Sequence, residues 1–221
     1  MMMPKKIRQV WGVLIFFSCL IAAGSVFTDE PFSLPEAVLD QAAEKYGPES
    51  RALLVCWQEL IRRNGCESDT EKLQAVNAFF NRMAFVNDIV HWGKKDYWAT
   101  PIEFLATRGG DCEDFSIAKY FTLKAMGISE DKLNLCYVKA LRYNMAHMVL
   151  TYYESPKAEP LVLDNLTDEI LPSSKRTDLI PIFSFNGSGL WLAKQRGKGR
   201  QAGSSSRITA WKHLLQKMDP D

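Results

Sequence analysis

The chain has 221 residues, of which 47% are apolar and 24% charged. That is enough apolar material for one compact domain with a buried core, and too much for a disordered or fibrous protein. A formal charge of +1 excludes the strongly basic balance expected of a binder of nucleic acid or anionic lipid.

Residues 1–24 read as a signal peptide. Lys5, Lys6 and Arg8 precede an apolar run from Val10 to Ala23, and Ala22-Ala23-Gly24 supplies a small-residue cleavage site. The run is shorter than the roughly 20 residues a membrane span needs, so cleavage is expected in preference to a retained anchor. Cys19 lies inside the run, which argues against a lipoprotein. The exported remainder carries 24 basic and 26 acidic residues, a net of −2.

Pro35 to Arg63 has helical periodicity, divided by Gly47-Pro48. Ser68 and Glu71 form a capping box for a helix bearing Leu73, Val76, Phe79, Phe80 and Met83. Trp92 to Gly110 reads as loop and short helix ending in a sharp turn. A helix then runs from Asp111 or Cys112 to about Met126, with Phe115, Ala118, Phe121, Thr122 and Ala125 inward. Strands follow at 133–141, 145–154, 160–164, 180–185 and 190–193. Residues 195–206 are basic, rich in Gly and Ser and expected to be mobile, and 208–218 form a last helix. The expected fold is α+β, helices first and then an antiparallel sheet. The domain is placed at residues 25–194, followed by a flexible segment and C-terminal helix at 195–221.

Four cysteines remain after the signal segment. Cys56 and Cys66 could bridge in an oxidising compartment, which spacing alone leaves open. Cys136, in an apolar strand, reads as a buried hydrophobe. Without a C-x-x-C or a zinc-like His spacing, a structural zinc site is not expected.

The stretch Arg108-Gly109-Gly110-Asp111-Cys112-Glu113-Asp114 holds the most chemistry. Two glycines let the chain turn abruptly into a helix, Asp111 is a good N-cap, and Cys112 then lies in the first turn. There the unpaired N–H groups and the positive end of the dipole favour a thiolate and can hold an oxyanion. A nucleophilic Cys needs a base with an orienting group. Of His91, His147 and His213, only His147 lies on a strand whose neighbour ends in an acid, Asp164. A four-residue loop at 155–158 sets Asp164 opposite Val149, on the same face as His147 and diagonal to it. A register slip of one would part them. The bland alternative is a satisfied buried His beside a turn-capping Asp. Asp111, Glu113 and Asp114 would also raise the thiol's pKa, a field that a bound cation reverses. Oxygen ligands suit Ca²⁺; otherwise these acids simply stabilise the helix start, with Asp114 either behind the ligands or capping.

Gly-Asp-Cys-Glu-Asp at a helix start, Ala-His-Met on a strand and Leu-Asp-Asn at a strand end together resemble the bacterial transglutaminase-like cysteine proteinases. The resemblance spans about 88–193, including Tyr-Trp-Ala-Thr-Pro at 97–101 and Ala-Lys-Tyr-Phe-Thr-Leu at 118–123. It is strongest to periplasmic members that release large biofilm adhesins. It implies a transglutaminase/papain-like core, with Cys112 as nucleophile, His147 as base and then acid, and Asp164 as the orienter. It also implies Ca²⁺ on Asp111 and Glu113, cleavage of an adhesin near its N-terminus at an Ala-Ala bond, and sequestration by an inner-membrane cyclic di-GMP receptor. Trp98 is assigned to core packing, with an indole N–H at the oxyanion as the alternative the likeness offers. Two other classes share these residues: an acyltransferase or cell-wall amide hydrolase, and a calcium-stabilised binding module with an inactive triad.

Overall fold

In the computed structural model, residues 32–192 and 200–219 are described; the signal-peptide expectation for 1–24 lies outside them. Helices come first. Gly47, at φ 95°, separates α1 (Glu36–Tyr46) from α2 (Pro48–Asn64), a backbone conformation suited to glycine. The Ser68–Glu71 capping box opens α3 (Asp69–Phe80) as expected. Between α3 and the site lie β1 (Ala84–Phe85), α4 (Asp88–His91) and α5 (Pro101–Thr107), the last opened by a Thr100–Glu103 capping box. His91 ends the short helix α4, and its Nε2 meets Thr107 Oγ1 at 2.8 Å.

Next come β2 (Gly109–Gly110), paired in parallel with β1, and α6 (Cys112–Ala125). The remainder is a seven-stranded antiparallel sheet: β3 (Leu133–Ala140), β4 (Met145–Tyr152), β5 (Leu161–Leu163), β6 (Leu171–Pro172), β7 (Leu179–Asn186), β8 (Gly189–Leu192) and β9 (Gln201–Gly203), in the order β6-β5-β4-β3-β7-β8-β9. The helix α7 (Thr209–Met218) closes the chain. The α+β class is as the sequence indicates.

The helix α6 is more enclosed than its inward stripe suggested. Every residue from Asp114 to Tyr120 is buried, while Ala125, expected inward, is exposed. The helix lies between the sheet on one side and α3 and α5 on others, so even the Lys119 position is 1% exposed. The strand β4 is likewise enclosed, buried without a break from His147 to Tyr152. Met148, Leu150 and Tyr152 join the main core, and Val149 joins a second cluster with Cys136, Val138 and Val162.

The C-terminal boundary needs correction. Part of the segment expected to be loose forms β9 on the sheet edge. In α7, Trp211 and Leu214 are 1% and 0% exposed, and the Trp211 ring stacks on Phe121 with centroids 5.7 Å apart. These residues complete the domain instead of following it. Residues 193–199 lie outside those described. Cys56 and Cys66 are both free exposed thiols, and Cys136 is buried as expected.

Candidate active site

The glycines before Cys112 are required for space more than for turning. The left-handed residue is Arg108, at φ 62°. A Cβ on Gly109 would collide with the Ala84 carbonyl across the β1–β2 pair, and one on Gly110 with the Asp114 carboxylate. Asp114, wholly buried, accepts from the Ala99 N–H at 2.7 Å and the Asp111 N–H at 3.3 Å. It thereby braces the start of α6 against the chain leading into α5.

Cys112, in the first turn of α6, is brought to β4. The Ser116 hydroxyl donates to the Cys112 carbonyl at 2.9 Å and is 3.0 Å from the Met148 carbonyl. Ser116 thus ties the turn that bears the nucleophile to the residue that follows His147. Burial, then the carboxylates of Glu113 and Asp111, push the thiol's pKa well up, and the Met148 backbone pulls against them. The thiol lies 3.1 Å from Glu113 Oε2.

The predicted register holds, although the paired strands stop at Tyr152 and Leu161 and leave a longer connection than the four residues expected. Leu163 pairs with Leu150 and Val162 with Thr151, so Asp164, one residue on, is level with Val149 and diagonal to His147. His147 Nε2 meets Asp164 Oδ1 at 2.7 Å, with side-chain exposures of 4% and 0%. That bond occupies Nε2 and leaves Nδ1 as the ring nitrogen available to a thiol. Burial would raise the Asp164 pKa, but hydrogen bonds from His147, the Leu166 N–H and Arg176 hold it down to about 2. His213 lies on α7, as the sequence indicates.

Beside the thiol is a larger acidic group than expected. Asp88, Asp111 and Asp114 each offer an oxygen within 4.8 Å of the others, as do Asp88, Asp96 and Glu113, and Asp111 and Glu113 with the Cys112 sulfur. Asp88, only 3% exposed, accepts from the Tyr97 N–H through one oxygen. Its Oδ1 and Asp111 Oδ1 are buried with no hydrogen-bond partner. Burial, reinforced by Glu113, raises the Asp111 pKa to about 9; burial also raises Asp88, Glu113 and Asp114. Bare buried carboxylate oxygens are costly unless a cation meets them, and an all-oxygen set fits a hard divalent ion. Asp111 and Glu113 thus lie in one group that also includes Asp88 and Asp96. Neither had a sequence signal, because they lie 15 or more positions upstream of Asp111.

Trp98 stacks on Phe185 with centroids 5.8 Å apart, while its Nε1–H donates to Asp96 at 3.0 Å. The ring thus packs against the core, as expected, and its N–H faces the acidic group.

A profile of the bacterial transglutaminase-like cysteine proteinases matches residues 58–191. The chain belongs to that family. LapG of Legionella pneumophila has the same fold: the EGTA-treated form is 39% identical with a TM-score of 0.74, over 86% of this chain and 100% of that one. The calcium-bound form is 40% identical with a TM-score of 0.72, over 83% and 98%. No curated protein sequence matches the chain. Family membership makes this a transglutaminase-like domain of the cysteine-proteinase type, with the helix start at Cys112 and the strands β4 and β5 inside the matched region.

Proposed function

We propose that this chain is a calcium-dependent periplasmic cysteine endopeptidase with Cys112, His147 and Asp164 as its triad. In this reading it cleaves a large surface adhesin near its N-terminus, at an Ala-Ala bond, and so promotes biofilm dispersal. An inner-membrane receptor responding to cyclic di-GMP sequesters it. The observation that carries the reading is the buried His147–Asp164 pair on strands next to the helix start that bears Cys112.

In the reaction the Cys112 sulfur attacks the scissile carbonyl after His147 takes its proton. His147 returns that proton to the leaving amine, and water, activated by the same imidazole, hydrolyses the thioester, freeing the carboxylic acid and restoring the thiol. Asp164 keeps the ring oriented and supports its positive charge. N–H groups at the start of α6 can receive the oxyanion. Asp88, Asp111 and Glu113, with Asp96 and Asp114 close by, would hold Ca²⁺, whose charge offsets the carboxylates that oppose a thiolate. The calcium-bound LapG structure supports that choice of ion.

The test is cleavage of an adhesin N-terminal fragment bearing an Ala-Ala site by the wild type and Cys112→Ser, with and without EGTA. Cleavage lost on chelation, restored by Ca²⁺ and absent in the variant is the expected result. Cleavage indifferent to EGTA would remove calcium from the mechanism, and a cleaving Cys112→Ser would remove the nucleophile.

A further inference from the structure

Asp164 has a second ionic partner that a Cys-His-Asp constellation does not require. His147 Nε2 and the Leu166 N–H occupy Oδ1, at 2.7 and 3.0 Å, while Oδ2 accepts from Arg176 Nη2 at 2.7 Å. The Arg176 side chain is 6% exposed and that of Asp164 is 0% exposed. Arg176 lies in the crossover from β6 to β7 and is itself clamped. Its Nε donates to Asp178 Oδ1 at 2.9 Å and its Nη2 to Asp178 Oδ2 at 2.8 Å. The Asp178 carbonyl accepts from the Leu141 N–H at 2.8 Å, beyond the end of β3, and the Arg176 carbonyl from the Leu179 N–H at 3.1 Å.

A buried ion pair adds little net stability, because desolvation offsets most of its attraction. What a guanidinium supplies is direction, since its donors form a rigid planar fork. With Oδ2 held by Arg176, the carboxylate cannot rotate away from the imidazole without breaking a second charged hydrogen bond. We propose that Arg176 is a positioning residue of the active site: it fixes Asp164 so that Oδ1 stays on His147 Nε2 and the imidazole keeps the one orientation that its role toward Cys112 requires. This rests on the cysteine-protease reading above.

The experiment is alkylation of Cys112 by iodoacetamide in the full chain with Ca²⁺ present, followed by peptide-resolved mass spectrometry. Melting temperature is read in parallel, as is the downfield proton resonance of the His147 Nε2–H bond, identified by its loss in His147→Ala. His147→Ala should slow alkylation; if it does not, the Cys-His reading itself fails. With that control satisfied, Arg176→Met should slow alkylation by roughly tenfold to a hundredfold and shift or abolish the downfield resonance. Asp178→Asn, which keeps an oxygen for the guanidinium, should stay within about threefold of wild type by the same positional argument. A folded Arg176→Met that alkylates like wild type overturns the inference and leaves the protease reading standing. Equal losses in Arg176→Met and Asp178→Asn would overturn it too, because Arg176 would then act through the crossover. Should Arg176→Met not fold, Arg176→Lys is read instead: several-fold slower alkylation supports the inference, and an unchanged rate overturns it.

Discussion

Gly110 lies against the carboxylate of Asp114, and Asp114 in turn ties Ala99 and Asp111 to the start of α6. Gly110→Ala should therefore displace Asp114 and disturb the nucleophile's turn. The expected cost is about 1–3 kcal/mol of stability, as for overpacking, with reduced turnover, measured by urea denaturation and the cleavage assay. An unaffected variant would mean that the chain yields cheaply there. Asp164 has a pH signature of its own. Its folded pKa, about 2, is below its ordinary value of 3.8, so its contribution is present above about pH 4 and lost as pH falls toward 2. Wild type should lose about 2 kcal/mol more than Asp164→Asn across that window, read from urea midpoints at each pH. Parallel pH curves would show that the carboxylate is not held as described. Lys119 is less legible still. Its Nζ lies 2.7 Å from both Asn77 Oδ1 and Asn81 Oδ1, and burial lowers its pKa to about 7. In sequence, a lysine on a helix reads as a solvated face.

At the scale of elements, β4 and α7 depart furthest from their patterns. The strand β4 has neighbours on both edges and covered faces, so the alternation of a half-exposed strand cannot persist. The helix α7 follows a Gly- and Ser-rich stretch that looks like the end of a domain, yet it seals one side of α6. Phe121, Tyr120 and Phe185 all meet the Trp211 ring. Trp211→Ala should cost about 3–5 kcal/mol, and a chain ending at residue 194 should not give a cooperative unfolding transition. Chemical denaturation of the two proteins tests this; a cooperative truncated domain would restore the boundary that composition suggests.

Over the whole molecule, the acidic group beside Cys112 makes stability depend on both pH and cation. The folded pKa of Asp111, about 9, is above its ordinary 3.8. Without a cation, stability should therefore fall as pH rises from about 4 to about 9, where the unfolded chain ionises and the folded one resists. A cation that binds the folded form removes that penalty. Calcium at a hundred times its dissociation constant adds about 2.7 kcal/mol, or roughly 5–10 °C in a domain of this size. Melting curves at pH 5 and 8, with EGTA and with excess Ca²⁺, should separate most at pH 8. Coincident curves would argue against a cation site.

Local and nearly local features are legible in the amino-acid order: the capped helix carrying Cys112, the register setting His147 beside Asp164, and the order of helices before strands. Each follows from short-range periodicity, capping or a hairpin loop of countable length. The fold was needed to bring Asp88 and Asp96 to the group around Asp111, Arg176 of the β6–β7 connection to Asp164, and α7 into the core. Those contacts join segments with no shared pattern, brought together by the packing of the helices and the sheet, and no spacing along the chain records them.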